Sequence, residues 1–288
     1  VGMGGGALSV RNCSTTLAFV VFEGNQAPFG GGGAARFNLG SVSMETVKAI
    51  SNVVSGSDGG GAFHLTSASM VMQNTVAVTN AGSSRDKVLN NLCMGNQATH
   101  QLGAGGACIM ASYSNVLASG WNMTGNEART EGGAVLCKGA KLQLRDGHFE
   151  SNSASGDGGS ISGMLCDLNL ETTMFAQNVA GLGARSGDGV GFGGAVYLGP
   201  GSGSVLTSST FMANTANSGG GAFACRNCDS NVIMYDTSFT DNLASTGGAV
   251  FMSESLLWLR GLGWGEVHTS AVCTKLENAT NEEAWTEF

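Results

Sequence analysis

The feature that most constrains this chain is a Gly-Gly pair followed by Ala or, once, by Ser. The motif recurs nine times, and its second glycines are Gly6, Gly33, Gly61, Gly106, Gly133, Gly159, Gly194, Gly221 and Gly248. Six of the eight spacings are 26–28 residues, and the other two are 45 and 35 residues. A fixed period of this size is typical of solenoids, in which each repeat packs on its neighbours.

A second motif keeps a constant phase with the first. It reads Phe or Met, two residues, then Asn, and its clear copies are Phe22–Asn25, Met123–Asn126, Phe149–Asn152, Phe175–Asn178, Phe211–Asn214 and Phe239–Asn242. Cys93–Asn96 fits with Cys in the apolar position, and Ala49–Asn52 fits weakly. The recurring Asn predicts either a stacked amide ladder or a set of asparagines in left-handed turns.

Strands are predicted after each glycine pair. The residues two and four positions past the second glycine are nearly all apolar, as at Val135 and Cys137, whereas the residue between them varies. Alternation with period two indicates a strand with one buried face. The glycines themselves predict a tight corner where a Cβ is excluded. Residues 1–255 are therefore expected to form one β-solenoid domain, part of a longer chain, and residues 256–288 a C-terminal cap or interface.

Composition excludes several function classes. The chain has 13 basic and 21 acidic residues, a net charge of −8, so no electrostatic footprint for nucleic acid is present. The longest apolar runs, such as 17–22, are too short for a transmembrane segment. No motif calls for a cofactor.

Eight cysteines in a glycine-rich chain favour a secreted protein. Cys93, Cys108, Cys137 and Cys225 fall at apolar positions and are expected to be small core residues. Cys225 and Cys228 form one Cys-x-x-Cys, a candidate local disulfide. Three sequons, at Asn12, Asn122 and Asn278, are candidate glycosylation sites that fit the same secretory route.

The paired motifs resemble a known family. The clearest copies are Phe211-Met212-Ala213-Asn214 with Gly220-Gly221-Ala222-Phe223, and Phe239-Thr240-Asp241-Asn242 with Gly247-Gly248-Ala249-Val250. They are similar to the repeats of the chlamydial polymorphic outer membrane proteins, and the resemblance covers residues 1–255. It implies an all-β, right-handed parallel β-helix of about nine coils, each of roughly 27 residues. In that family the repeats form the passenger of an autotransporter adhesin, but residues 256–288 show no ten-residue alternating strands of a membrane barrel.

An enzyme of this fold would need carboxylates at one phase on adjacent coils. The acidic residues weighed for that role are Asp58, Asp157, Asp167, Asp188 and Asp229, and none of them forms a convincing set by phase. They are expected to be turn-forming aspartates. His64, His100, His148 and His268 occupy different phases. The chain is therefore predicted not to be an enzyme, with a polysaccharide lyase or hydrolase as the remote alternative.

Two insertions and the C-terminal segment are the candidate contact regions. The larger insertion carries Arg85, Asp86 and Lys87, a candidate binding loop, and the smaller one enlarges the corner at 181–194. Trp258, Trp264 and Trp285 mark a candidate cap or subunit interface.

These features together predict a stiff, non-enzymatic structural module at the cell surface or outside the cell. Its expected partners are other protein subunits, including copies of itself that meet at the solenoid ends. The alternative is an adhesin that binds a host protein or a glycan through its inserted loops.

Overall fold

The computed structural model describes residues 5–56, 59–73, 91–99, 105–181, 191–228, 231–260 and 263–264. These residues form a parallel β-solenoid of about eight complete turns and contain strands but no helix. Each turn begins at the first glycine of its pair, so turn two begins at Gly32, turn five at Gly132 and turn eight at Gly220. A ninth turn contributes strands to two of the three sheets. The expected fold class is thus confirmed, with about eight complete turns rather than nine.

The strands are short and numerous. Turns one to three contain β1 (Leu8–Ala18), β2 (Val21–Glu23), β3 (Gln26–Ala27), β4 (Ala35–Glu45), β5 (Lys48–Ile50), β6 (Val53–Val54), β7 (Phe63–Gln73), β8 (Asn91–Met94) and β9 (Gln97–Ala98). Turns four to six contain β10 (Ile109–Ser112), β11 (Asn115–Ser119), β12 (Trp121–Thr124), β13 (Glu127–Ala128), β14 (Val135–Lys138), β15 (Lys141–Arg145), β16 (His148–Glu150), β17 (Ser153–Ala154), β18 (Ile161–Met164), β19 (Asp167–Glu171), β20 (Met174–Ala176) and β21 (Val179–Ala180). Turns seven to nine contain β22 (Val196–Leu198), β23 (Gly203–Thr207), β24 (Thr210–Met212), β25 (Thr215–Ala216), β26 (Phe223–Arg226), β27 (Val232–Tyr235), β28 (Ser238–Thr240), β29 (Val250–Ser253), β30 (Leu257–Arg260) and β31 (Gly263–Trp264).

Three parallel sheets run along the solenoid. Sheet I has 15 strands, sheet II has nine (β2 to β31) and sheet III has seven (β3 to β25). In turns one to three each strand of sheet I is 11 residues long. From turn four onward it is divided in two, so that β7 pairs with β10 through its first half and with β11 through its second.

Single residues in the left-handed region make the corners of each turn. Along the corner inside sheet I these include Asn12, Leu39, Tyr113 and Leu165, with φ between 50° and 59°. Half of the described residues with positive φ are not glycine, although this conformation costs an L-residue roughly 1–2 kcal/mol. The stacking of each corner on its neighbours therefore holds a conformation that the local sequence does not favour.

The glycine pair has two different roles. In turns four to nine the first glycine has a positive φ, for example 64° at Gly132 and 66° at Gly220. The second glycine packs against the next turn, so that a Cβ at Gly33 would collide with the carbonyl oxygen of Gly61. The expected exclusion of a Cβ is confirmed, through positive φ at the first glycine of turns four to nine and through close backbone approach at the second.

One motif copy lies a residue out of register. Ile109 pairs with Val135, which makes Gly106 the equivalent of Gly132, a first glycine, and leaves Ala107 at the second position. The core-facing residues of this strand are consequently Ile109 and Ala111, not Cys108 and Met110 as the motif alone predicts. The string Gly105-Gly106-Ala107 matches the pattern locally, but hydrogen bonding to the neighbouring turns sets the register.

A ladder of eight asparagines follows one corner: Asn25, Asn52, Asn96, Asn126, Asn152, Asn178, Asn214 and Asn242. The Oδ1 of Asn178 accepts the backbone N–H (3.0 Å) and the Nδ2 (3.1 Å) of Asn152. Its own Nδ2 donates to the carbonyl oxygen of Phe149 (3.0 Å) and to the Oδ1 of Asn214 (2.9 Å). The left-handed residue is the one before each Asn, such as Gln177. The amide ladder is therefore correct, and the alternative of asparagines in left-handed turns is wrong.

The core lies between the three sheets as columns of equivalent residues. Phe149, Phe175, Phe211 and Phe239 stack face to face, with ring centroids 4.7–5.1 Å apart. A second column of small residues, mainly alanines, lines sheet III and includes Ala98 and Ala128. Because each turn places the same position over its neighbour, the repeat in the sequence becomes a column in the core.

Three disulfides lie in the solenoid. Cys93–Cys108 joins turns three and four, Cys137–Cys166 joins turns five and six, and Cys225–Cys228 lies within turn eight. Cys93, Cys108, Cys137 and Cys225 are buried in the core as expected, but each is disulfide-bonded. The candidate bridge Cys225–Cys228 is present, whereas Cys93–Cys108 and Cys137–Cys166 join stacked turns and are not apparent from the linear sequence. Among the cysteines of the described ranges, only the exposed Cys13 is a free thiol.

Parallel pairing continues past residue 255. Strand β30 pairs with β27, and β31 pairs with β28 through Ser238 and Gly263. The predicted boundary at residue 255 falls inside the ninth turn, so the solenoid reaches at least Trp264.

Candidate functional site

A group of interacting ionisable side chains lies at the corner between sheets III and I in turns four to eight. We name it the acidic corner and define it as Glu131, Asp157, Ser162 and Tyr197, with Lys138 and Arg226 at its rim. Glu131 ends turn four and Asp157 ends turn five, each directly before a glycine pair. The two carboxylates thus occupy one phase on adjacent turns, which are about 4.8 Å apart along a parallel sheet.

The outer face of sheet I supplies the neighbouring hydroxyls. Ser162 on β18 and Tyr197 on β22 are register partners, and both are buried although they point away from the core. The Ser162 hydroxyl donates to Glu131 Oε2 at 3.4 Å. The corner segments therefore cover this part of the sheet and remove its polar groups from solvent.

Asp157 is held by the following turn. Its Oδ1 accepts the backbone N–H groups of Gly191 and Phe192, both at 2.8 Å. The guanidinium of Arg226 lies 4.6 Å from the centroid of the Phe192 ring, in a cation–π contact. Phe192 also packs on Phe251, with centroids 5.3 Å apart. The arrangement fixes one carboxylate oxygen of Asp157.

Burial dominates the electrostatics of the corner. It raises the pKa of Glu131, and the charge of Asp157 raises that pKa further, while Lys138 and Ser162 act in the opposite direction. Burial also raises the pKa of Asp157, opposed by the N–H groups of Phe192 and Gly191 and by Arg226. The pKa of Tyr197 is raised by burial and then by Asp157. The protonated forms of all three groups are therefore favoured relative to solution.

Two carboxyls with raised pKa values on adjacent turns are chemically suited to hold or transfer a proton. Within the described residues no group of three or more His, Cys, Asp or Glu side chains is placed to hold a metal ion. The two carboxyls of this corner are thus suited to acid–base chemistry.

The aspartates considered as catalytic candidates from the sequence lie in different parts of the structure. Asp157 belongs to the corner, whereas Asp167 lies in strand β19 and forms an ion pair with Lys141 at 3.2 Å. Asp167 is therefore not the turn-forming residue expected. Asp58, Asp188 and Asp229 lie outside the described residues.

The two histidines of the described ranges, His64 and His148, lie on different sheets. His64 is buried on the outer face of sheet I, with its Nε2 3.2 Å from Thr66 Oγ1. His148 lies on sheet II, with its Nε2 3.2 Å from Glu150 Oε2. His100 and His268 lie outside the described residues.

Sequence reasoning missed Glu131. The signal was present, because Glu131-Gly132-Gly133 and Asp157-Gly158-Gly159 are consecutive motif copies with an acid in the same position. Only Asp residues were compared by phase, and the search for carboxylates on adjacent coils therefore failed.

The candidate contact residues are scattered over the solenoid. Asn12 is an exposed corner residue with φ 53°. Asn122 is half-buried on β12, and its Oδ1 accepts the hydroxyl of Thr124 at 2.6 Å. Trp258 lies on β30 opposite Ile233 and is 50% exposed, and the backbone of Trp264 pairs with Phe239. The candidate residues Arg85, Asp86, Lys87, Asn278 and Trp285 lie outside the described residues.

No helix in the described part of the chain is long and apolar enough to cross a bilayer. In comparison with known proteins, the chain matches no family model, no curated protein and no solved structure. The functional argument therefore rests on the fold and on the geometry of its surfaces.

Proposed function

We propose that this chain is a non-enzymatic structural module of a cell-surface or extracellular assembly, in which a stiff rod makes contacts with other protein subunits. The observation that carries the proposal is the unbroken asparagine ladder, which links turns one to eight through seven side-chain amide contacts of 2.9–3.1 Å. A buried ladder with every rung paired resists bending and register slip. A rod of constant cross-section is suited to spacing and assembly.

The extracellular location is part of the proposal. Three disulfides favour an oxidising compartment, and an exposed sequon at Asn12 fits a secretory route. The motif resemblance to chlamydial polymorphic outer membrane protein repeats, and the right-handed coiling that it implies, supports the same assignment.

The test is electron microscopy of native particles taken directly from the source. Filaments or sheets in which this rod repeats would support the structural role. Isolated rods would contradict it and would favour the adhesin alternative, to be examined by binding of host proteins and glycans.

One observation favours a second function. Glu131 and Asp157 occupy one phase on adjacent turns, the arrangement expected of a polysaccharide lyase or hydrolase. The test is a screen of purified chain against soluble polysaccharides, beside Glu131→Gln and Asp157→Asn. Cleavage that both substitutions abolish would support an enzyme, and absence of cleavage by the unmodified chain would eliminate this candidate.

A further inference from the structure

The hydroxyl of Tyr197 has no partner within the protein. Tyr197 is only 9% exposed, yet no described residue forms a hydrogen bond with its Oη. A buried tyrosine normally pairs its hydroxyl, and an exception calls for an explanation. This oxygen is not enclosed by protein atoms, so a ligand can reach it from solvent.

Other polar groups of the acidic corner are also left without partners. Asp157 Oδ1 accepts two N–H groups, but no described residue donates to its Oδ2. The same holds for Glu131 Oε1, since the hydroxyl of Ser162 donates to Oε2. Lys138 and Arg226 form no ion pair with another described residue. The corner therefore holds unused acceptors and unused donors in one place.

The phenol of Tyr197 lies along the outer face of sheet I. A Cβ at Gly199, two residues further along the chain, would come within 3.4 Å of its Oη. The glycine thus gives the ring room to lie over the strand. The charges of Asp157, Arg226 and Glu131 each act on its pKa, so the phenol lies within electrostatic reach of all three.

Aromatic rings line the same corner. Phe192 and Phe251 are half-buried and pack together over Gly219, where a Cβ would lie 3.1 Å from either ring. The guanidinium of Arg226 lies over the ring of Phe192. Apolar rings combined with a few convergent polar groups are what small-molecule binding sites share.

The charges of the corner select the ligand class. An anion would be repelled by Glu131 and Asp157, and a cation would be repelled by Lys138 and Arg226. The formal charges of these two acids and two bases cancel. A hydroxyl group both donates and accepts hydrogen bonds, so a neutral molecule rich in hydroxyls satisfies the carboxylates and the cations together.

The polar groups are spread along the rod axis. Lys138 lies in turn five, Asp157 directly precedes turn six, Tyr197 lies in turn seven and Arg226 in turn eight. Adjacent turns are about 4.8 Å apart, which is close to the length of one sugar unit in an extended glycan. A glycan lying parallel to the rod would therefore place successive sugars on successive turns.

We propose that the acidic corner binds a neutral glycan. Hydroxyl groups of the sugars donate to the carboxylates of Asp157 and Glu131 and accept from Tyr197 and Arg226, and a sugar ring packs on the exposed part of Phe192. Binding breaks no covalent bond, so the site functions with or without cleavage of the glycan. The inference goes beyond the proposed structural function and does not depend on it.

The experiment is isothermal titration calorimetry of the purified chain with tetrasaccharides. The neutral probes are those of cellulose, xylan, mannan, laminarin and starch, and tetragalacturonate is the acidic counterpart. Tyr197→Phe removes only the hydroxyl, and Arg226→Gln removes the guanidinium. The matched controls Tyr235→Phe and Arg145→Gln make the same changes elsewhere on sheet I. Thermal unfolding checks that each variant is folded.

We expect at least one neutral tetrasaccharide to bind and tetragalacturonate not to bind. Tyr197→Phe should weaken binding about tenfold, because the ligand loses one hydrogen bond. Its thermal unfolding should be unchanged, since the hydroxyl has no partner in the protein. Arg226→Gln should also weaken binding about tenfold, and both controls should bind like the unmodified chain.

Three results would overturn this site. These are no binding of any neutral probe at millimolar concentration, tighter binding of tetragalacturonate than of every neutral probe, or binding by Tyr197→Phe and Arg226→Gln that equals binding by their controls. None of them touches the structural role, which micrographs of native particles decide. Binding without cleavage would support the site and eliminate the enzyme candidate.

Discussion

Turns one to three and turns five to eight share one backbone plan but fill the core differently. In turns five to eight the apolar position before the ladder holds four stacked phenylalanines, 4.7–5.1 Å apart. In turns one to three the same position holds Phe22, Ala49 and Cys93. Phe63 of sheet I reaches past Ala49 to meet Phe22 edge-on, with centroids 5.9 Å apart.

The asparagine ladder passes through both regions without change. Asn52, Asn96, Asn178 and Asn214 are all fully buried, and each donates to the following rung. The difference teaches that apolar volume can be exchanged between neighbouring positions, whereas a buried amide needs a specific partner. Polar pairing thus fixes the register, and apolar packing adapts to it.

The largest expected effect breaks the ladder in its regular part. Asn178→Ala would remove the acceptor of the Asn152 N–H and one hydrogen bond each from the Nδ2 of Asn152, the oxygen of Phe149 and the Oδ1 of Asn214. We expect the free energy of unfolding in urea to fall by about 4 kcal/mol or more. Asn25→Ala, at the end of the ladder, should cost about 1 kcal/mol. Equal losses at the two rungs would show that the inner ladder has no special role, and the exposed Asn169→Ala is the control.

The next effect concerns the aromatic stack. Phe175 is fully buried between Phe149 and Phe211, and Phe175→Ala should cost roughly 3–5 kcal/mol. Phe22→Ala, in the end turn, should cost less, about 2 kcal/mol. Chemical denaturation of both variants beside Met212→Ala, which alters an exposed side chain of the same region, checks the contrast. A larger loss of unfolding free energy for Phe22→Ala than for Phe175→Ala would contradict the prediction that the aromatic stack of turns five to eight contributes more to stability.

The disulfides should contribute different amounts to the free energy of unfolding, because they close chain segments of different length. Removing Cys137–Cys166, with a sequence separation of 29, by Cys137→Ala and Cys166→Ala should cost about 3 kcal/mol. Removing Cys225–Cys228, with a separation of 3, should cost less because the loop is short. Thermal unfolding with and without a thiol reductant measures both, and the reductant should have no further effect at a removed bridge.

The smallest effect concerns the acidic corner. The pKa of Glu131 is raised by burial and by the charge of Asp157. Its protonated form therefore stabilises the fold relative to its ionised form, and this contribution to the free energy of unfolding is lost as the pH rises through the folded-state pKa. At pH 7 the free energy of unfolding of Glu131→Gln should therefore exceed that of the unmodified chain, by less than about 1 kcal/mol. Thermal unfolding of the two proteins measures the difference. The advantage should shrink as the pH falls toward 4. A variant that is less stable at pH 7 would indicate that the carboxylate is paired more strongly than the geometry implies, and the exposed Glu127→Gln is the control.

The repeat made much of this fold predictable. The glycine pairs set the 27-residue period, and the Phe-x-x-Asn motif placed both the aromatic column and the amide ladder. The acidic corner was not predicted, because Asp157 was interpreted as a turn-forming residue and Glu131 was not compared with it. Comparing all acidic residues by their distance to the glycine pair would have found both.

Other features were beyond the sequence. Leu39, Leu165 and Gln177 adopt left-handed conformations that their side chains do not signal, because stacked neighbours hold the corner. The disulfides Cys93–Cys108 and Cys137–Cys166 join different turns, and the register around Gly106 departs from its motif.

The sequence by itself determined that this chain forms a stack of similar turns, because a period of 27 residues and an alternating apolar pattern permit one inward face. Which residues meet was decided by the tertiary structure. A parallel turn places each residue over one 25 to 46 positions away, as with Val232 and Leu257 or Phe63 and Ile109. Hydrogen bonds between turns select that register, and only then do two acids, two cysteines or eight amides become neighbours.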